Sequence, residues 1–515
     1  MSEQEVQWGF EAIEHHGYST LLPAMPEWLV VRANWSQLRP EIAAIDLDLY
    51  HPFQPLRVYA PKNRATVRVV SLLHPIDLII YTALTLIVIA DIEANRVPLR
   101  RRIVFSYRAE SRAPNRLYGT ANNFSMFRER LDERSSREAI RYVAIADIAD
   151  FYPRIYQHRL ENVIESSSQS ARTRDVARVL VKKLISNLSG KNSYGIPVGP
   201  YASRVLAEAV LIDVDSYLIS EGLDFIRWVD DYYFFTRTEQ QAQEILISLA
   251  QRLYDRQGLT LSALKTKIQT KDIFRRRFVP DPNRDVDARL QRVSEFSSRF
   301  DPYSEEEIEL SEAERAEFVE LDIIQLVAEA LEDRELIDYD TLSTLLRHPK
   351  LLSVLPLDAR RNLGDVLLRN KEHLYPIAGP VSEYFSTFAD LPLRDRKRVQ
   401  TQLLASLKPK RGKWPPDYYM MWVLSIFSSG NAWHDSTDFT RILRDHRSEI
   451  VRRMATLAIS NNGTRAAAIE ARDQYSTSSP LERIAILLAT RKLGRDERDH
   501  WKQSLQLTGV LERKI

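Results

Sequence analysis

Short β-prone runs punctuate the first 271 or so residues and then nearly vanish. Up to about Lys271, helical periodicity alternates with runs rich in aromatic and β-branched residues, at 142–148, 225–229 and 232–236. The stretch "RRRFVPDPNRDVDARL" (275–290), with two prolines and many charges, reads as a linker or domain edge. From about Ser304 to Ile515 one helical pattern follows another, as in "EFVELDIIQLVAEAL", "YMMWVLSIFSS" and "LERIAILLATRKL", with turn signals "RHPK", "KWPPD" and "SNNG" separating them. This pattern predicts an α+β N-terminal half joined to an all-α half of stacked helix pairs. The longest apolar run, 76–90, contains Asp77 and is shorter than the ~20 residues a membrane span needs, so a buried helix is expected.

The β-prone runs carry the acids that matter. In "FIRWVDDYYFF" two runs are separated only by Asp230 and Asp231, which is hairpin spacing. Adjacent carboxylates in apolar surroundings are unfavourable unless a cation or hydrogen bonds compensate. In "YVAIADIADFYPRIYQHRL" a strand-like approach ends at Asp147, and Pro153 suits the first turn of a helix running to about Glu165. Asp147 and the Asp230–Asp231 pair therefore sit at strand ends and can converge on one face of a sheet. Carboxylate oxygens with positions left for water and phosphate suit Mg²⁺, and a pair of such ions can activate an attacking hydroxyl and stabilise a leaving pyrophosphate. Between these sites, "YGIPVGPYASRVLAEAVLIDVDSYLISEG" places a Gly/Pro loop ahead of a helix expected from Tyr201 to Ser220, with Gly222 at its C-cap. After the hairpin, "GLTLSALKTKI" puts Lys265 and Lys267 on a strand-like run.

Composition narrows the chemistry. At 515 residues there is room for several domains. The absence of cysteine excludes disulfides, Cys-ligated zinc and a thiol nucleophile, and suits a reducing cytoplasm. The acidic start, "MSEQE", has no apolar signal-like segment. A net charge of +2 hides segregation: seven arginines against one acid between Arg96 and Arg116, and fifteen acids against two arginines between Ser304 and Asp340. The basic stretch, interleaved with Phe105, Tyr107 and Tyr118, is either a solvated face or, if the site serves a single strand of nucleic acid, the lining of its channel; the acidic one is expected to be an exposed helix surface.

Taken in order, these motifs resemble reverse transcriptases over roughly residues 50–275. Asp147 with Tyr152 matches the first palm motif, "GIPVGPYASRVLAE" the loop–helix motif, "RWVDDYYFF" the double-aspartate hairpin, and "LKTKI" the lysine motif. Upstream, "YAPKNRATVRVVSLLHPIDLIIYTAL" is similar to the fingers. With an all-helical C-terminal half, the chain is most similar to the abortive-infection (Abi) branch, and within it to the shorter, prophage-borne type. The resemblance implies fingers in 1–140, a palm in 141–275, an edge or linker in 276–303 and a helical, HEAT-like repeat domain in 304–515. It implies Asp147, Asp230 and Asp231 as catalytic carboxylates, with Asp147, Asp230 and the backbone of Ile148 holding Mg²⁺, or Mn²⁺ in its place. Lys62, Arg64 and Arg68 would hold the incoming triphosphate. Tyr152 would act as a gate against a ribose 2′-hydroxyl, and Val198, Gly199 and Lys265 would complete the nucleotide site.

Two departures bear on the activity. Trp228 stands where most relatives have tyrosine, and Val198 where templated enzymes carry a glutamine whose amide bonds near the nascent pair, a contact valine cannot make. The Abi branch implies untemplated synthesis from dNTPs, primed by a hydroxyl of the protein, which leaves single-stranded DNA covalently attached. It further implies a cytoplasmic homo-oligomer without membrane contact, acting in anti-phage defence. The alternatives are a templated RNA-directed DNA polymerase, a helical scaffold with a decayed palm, and a ribonuclease using Arg441…His446 or Arg495…His500.

Overall fold

The computed structural model of the chain describes all residues except 64, 111–113, 120–123, 279–284, 298, 300–309, 334–336, 506 and 508. Among the described residues six strands form: β1 (Leu56–Pro61), β2 (Val67–Leu72), β3 (Tyr142–Asp147), β4 (Phe225–Trp228), β5 (Asp231–Thr236) and β6 (Lys267–Thr270). The chain divides into two compact units, one of Met1–Ser19, Trp35–Pro55 and Leu73–Pro280, the other of Thr20–Asn34, Leu56–Leu72 and Asp281–Ile515.

The first unit is built on a four-stranded antiparallel sheet of order β4-β5-β3-β6. Helices between β3 and β4 and the Glu239–Gln257 helix between β5 and β6 make this a β-α-β-β-α-β arrangement, the split βαβ pattern. Side chains alternate across the sheet with period two. Val143, Ile145, Ile226, Tyr233 and Phe235 face one way, into a core with Phe105, Phe127, Leu131 and Phe274. Ala144, Phe225, Tyr232 and Phe234 face the other way and are also fully buried, beneath the Glu239–Gln257 helix among others. With both faces covered, the strands are nearly continuous apolar runs, which is why they were legible as strands.

The Pro75–Asn95 helix is apolar and long enough to cross a membrane, but most of it is buried within this unit, as a core helix. Its one early charge, Asp77, accepts from the Tyr50 hydroxyl at 2.5 Å and the Phe53 N–H at 3.0 Å. Burial still pushes its carboxyl up to about 7.

Two expected helices are interrupted. The one beginning near Pro153 is a single turn, Phe151–Arg154, followed after a break by Gln157–Ser167. Carbonyls there are used elsewhere: Tyr152 O accepts from Ile196 N–H (3.2 Å) and Ile155 O from Gly195 N–H (2.8 Å). The expected 201–220 helix is two, Tyr201–Val210 and Ile212–Ser220, joined at Leu211, with Gly222 beyond the end at φ +68°.

Among its described residues, the regular elements of the second unit are helices apart from the β1–β2 hairpin. Ala378–Ser386, Asp417–Ser428, Glu449–Asn462 and Pro480–Ala489 stack in succession, while Thr437–Asp445 and Arg465–Arg472 form a second row beside them. This is the layout of stacked helix pairs. β1 packs on the Asp417–Ser428 helix. Glu27 and Arg453, both fully buried, form a bidentate ion pair with contacts of 2.5 to 2.8 Å. The expected linker contains a helix, Asp285–Ser297, and its residues 279–284 lie outside the described ones. So do 304–309 and 334–336 of the acidic run.

Candidate active site

The site lies at one end of the first unit's sheet. Asp147 is the last residue of β3 and pairs across the ladder with Asp231, the first residue of β5, which pairs in turn with Trp228 at the end of β4. Directly opposed residues share a face, so Trp228, Asp231 and Asp147 form a row over three strands. Asp230 occupies the turn with Val229, and its carbonyl accepts from the Ile148 N–H at 3.2 Å. That bond ties the end of β3 to the hairpin tip. The Asp147 carbonyl accepts from Ser262 N–H at 2.7 Å, fixing the segment that carries Lys265.

Lys265 Nζ lies 2.6 Å from Asp147 Oδ2, although Lys265 itself is exposed. Burial opposes its charge, but the bond to Asp147 and the nearby Asp231 and Asp230 outweigh burial and hold its pKa above the ordinary value. The carboxylates move with it. Burial, reinforced by Asp147, pushes Asp230 up to about 6. Burial, then Asp230 and Asp147, push Asp231 up to about 7. Three acids thus share one exposed ammonium, and the site has an excess of negative charge that a cation would relieve.

The donors present fit a hard cation that prefers oxygen, with Lys265 Nζ standing where positive charge is wanted. Among the described residues no group of three or more His, Asp or Glu side chains makes a ready-formed metal cage. Mg²⁺ rarely needs one, since one or two carboxylates with water and phosphate suffice. Asp147, Asp230 and the backbone at Ile148 could hold it.

Tyr152 follows Asp147 through a tight turn in which Asp150 adopts φ +46°. Burial raises its hydroxyl well above the ordinary phenol range, and Tyr107, Arg204 and Asp230 are close enough to act on it electrostatically. The Gly/Pro loop is bonded to the same turn. Besides Ile196 N–H on Tyr152 O, Gln157 Nε2 donates to Gly195 O at 2.9 Å, and Gln157 N–H donates to Ser193 O at 3.0 Å. Gly195 needs to be glycine on two counts: φ is +90°, and a Cβ would lie 3.2 Å from Pro153 O. Gly199 adopts φ +126°, next to partly buried Val198.

Next to Tyr152 is an aromatic and cationic cluster that the motifs did not reveal. The Arg204 guanidinium sits 4.1 Å from the Tyr201 ring centre and 5.2 Å from that of Tyr107. Tyr107 in turn lies 5.0 Å from Tyr118 and 6.2 Å from Trp228, ring centre to ring centre.

The remaining expected residues belong to other segments of the chain. Lys62 and Arg68 belong to the β1–β2 hairpin of the second unit, where Arg68 is exposed and lowers the Tyr418 hydroxyl slightly against the larger effect of burial. Arg64 lies outside the described residues. In the basic stretch, Arg96 and Arg108 are buried, paired with Glu208 (2.6 Å) and with Glu93. Phe105 is core, Arg100 to Arg102 are exposed, and Arg112 lies outside the described residues. Of the Arg/His pairs, Arg441 is bound by Asp438 at 2.7 Å. His446 is buried, and its Nδ1 accepts from Ser448 N–H at 3.1 Å. Its charge is disfavoured by that burial. His500 is exposed on the Arg495–Gln503 helix.

No protein-family model and no curated protein matches the sequence. Among solved structures the chain is similar to apo telomerase from Candida tropicalis, at 10% identity over 92% of this chain and 72% of that one, with a TM-score of 0.33. It is similar also to telomerase from Candida albicans in complex with a TWJ fragment of telomeric RNA, at 11% identity over 73% and 71%, with a TM-score of 0.32. The Candida tropicalis telomerase in complex with such a fragment gives 13% identity over 84% and 68%, with a TM-score of 0.32. TM-scores this low do not define a common fold.

Proposed function

We propose that the chain is a reverse-transcriptase-like DNA polymerase of the Abi type, which adds deoxynucleotides without a template to a hydroxyl of the protein itself. One observation carries the reading: Asp147 and the Asp230–Asp231 pair converge at one end of a split βαβ sheet, with Lys265 on Asp147 and Tyr152 one turn away. Mg²⁺, or Mn²⁺ in its place, held by Asp147, Asp230 and the Ile148 backbone, would supply the charge that activates a hydroxyl and stabilises the leaving pyrophosphate.

The chain's own groups do the rest. Asp231 adds negative charge behind the pair. Lys265 offers an exposed ammonium that a phosphate can share with Asp147. The Tyr152 ring, on a backbone tied to the Gly/Pro loop, fills the space a 2′-hydroxyl would need, and Gly199 lets the backbone come close to the nucleotide. Lys62, Arg64 and Arg68 bind the triphosphate by charge. Val198 offers no polar contact to check a nascent pair, which favours untemplated over templated addition. A primer hydroxyl in the same molecule is present at high effective concentration. The setting we propose is a cytoplasmic homo-oligomer, assembled through the helical unit and acting in anti-phage defence.

Purified protein incubated with each labelled dNTP and Mg²⁺, with no nucleic acid, tests this. DNA that migrates with the protein after boiling in detergent, is released by protease and resists RNase supports the reading. Product that forms only with an added primer–template, and runs free of protein, refutes it and leaves the templated enzyme.

A further inference from the structure

Below the hairpin, on the face of the sheet opposite Asp147 and Asp231, lies a buried polar network made of Ser106, Arg96, Glu208, Asp215 and Arg227, none more than 5% exposed. Arg227 pairs bidentately with Asp215, Nε to Oδ1 at 2.8 Å and Nη2 to Oδ2 at 2.5 Å, and its Nη1 lies 2.9 Å from Glu208 Oε2. Glu208 also takes Arg96 Nη2 at 2.6 Å and the Ser106 hydroxyl at 2.5 Å. Arg96 donates to the carbonyls of Ser106 and Tyr107, each at 2.8 Å.

Besides the Tyr232 hydroxyl on Asp215 and Glu93 on Arg96, the network reaches the backbone of Val229 from both sides. Val229 N–H donates to Ser106 Oγ at 3.0 Å, and Val229 O accepts from Arg227 Nη1 at 2.7 Å. Val229 is β-branched and yet sits at φ +53°, a conformation such residues take only where their surroundings impose it. It immediately precedes Asp230. Stability alone does not call for such a network, because buried charges replaced by packed apolar groups are often no less stable.

We propose that Ser106 and Arg227 are positioning residues that aim the Asp230 carboxylate by clamping Val229 through its N–H and its carbonyl. This rests on the reading of Asp230 as a metal-binding carboxylate. Ser106 and Arg227 are not among the residues proposed to touch the nucleotide, so loss of the clamp changes the reacting geometry without removing one of those contacts.

Ser106→Ala in the full chain tests it, with Mn²⁺ binding followed by electron paramagnetic resonance and nucleotide addition by steady-state kinetics. The expected result is about a tenfold weaker Mn²⁺ affinity and a similar loss in kcat, the size of one lost buried hydrogen bond, with nucleotide KM nearly unchanged. A lower melting temperature with unaltered Mn²⁺ affinity and kcat overturns the proposal and makes Ser106 part of the core only. Should Ser106→Ala not fold, Ser106→Cys, close in volume and a weaker acceptor, gives the same comparison; failure of both to fold also overturns it. Asp147→Asn separates the two levels. If wild type and Asp147→Asn bind Mn²⁺ alike, the polymerase reading itself fails. If they differ while Ser106→Ala matches wild type, only the clamp does.

Discussion

Replacing Asp230 by asparagine should make the metal-free protein more stable while abolishing synthesis. Asparagine keeps the shape of the side chain and removes its charge. The native state lifts the Asp230 carboxyl from 3.8 to about 6, which makes ionised native protein about 3 kcal/mol less favourable than it would be with an ordinary carboxyl. Partial exposure of Asp230 screens this to about 2 kcal/mol. The sign follows from the raised value. Below pH 4 the group is protonated in both states and the penalty is absent. Between pH 4 and 6 the unfolded chain ionises while the native one resists, so wild-type stability falls; above pH 6 the full penalty remains. For a cooperative unit of roughly 250 residues, about 2–4 °C accompanies each kcal/mol, so Asp230→Asn should melt about 4–8 °C above wild type at pH 8 with chelator present. The gain should shrink toward zero at pH 4. Thermal melts followed by circular dichroism at the two pH values measure it. A variant no more stable than wild type at pH 8, or a gain that does not change with pH, refutes the account of a carboxylate penalised by burial and by Asp147. Synthesis that survives in the pure variant refutes the role of Asp230 in the reaction.

Other expectations can be checked separately. Tyr152→Ala should raise ribonucleotide relative to deoxyribonucleotide incorporation by removing the ring beside the sugar; an unchanged ratio, read on gels with matched triphosphates, means that the ring is not there. Arg68→Ala should raise the apparent nucleotide KM with little change in melting temperature, because Arg68 is exposed on β2; unfolding would show a structural ion pair instead. Glu27→Gln should destabilise the second unit by about 3–5 kcal/mol, since it leaves Arg453 charged, buried and without its carboxylate, and a chemical denaturation midpoint equal to wild type's would contradict this.

The elements of the first unit were legible where one rule decided them. Tyr142 to Asp147 and the hairpin runs are so apolar, with acids so sharply placed at their ends, that strand and turn follow from composition. The interruption after Arg154 was not legible, because it depends on Gly195 and Ile196 taking carbonyls of that turn, forty residues away in sequence. The same distance problem hid the network beneath the hairpin. Arg227 within a β-prone run, and Glu208 and Asp215 within apolar helices, each signal a buried charge that needs a partner, but the sequence does not say which. Arg96 and Arg108 were read with their neighbours as free positive charge, while Glu208, 112 residues from Arg96, takes one of them out of solvent. The hairpin of Lys62 and Arg68 shortly precedes the strand of Asp147 in the chain, and that adjacency concealed its packing on helices more than 340 residues later.

That last pairing has a consequence for how the chain is made. β1 and β2 leave the ribosome early, but the Asp417–Ser428 and Glu449–Asn462 helices on which β1 packs come nearly 400 residues behind. At about 5–20 residues per second the hairpin waits roughly 20–80 s for them. During that interval it is a two-stranded ribbon, marginal by itself, with Tyr59, Val67 and Val69 among its exposed apolar side chains. The Glu27–Ala33 helix waits as long for Arg453. For the same reason neither unit can be excised with one cut: a fragment ending near residue 280 carries two orphaned segments, and one beginning there lacks them.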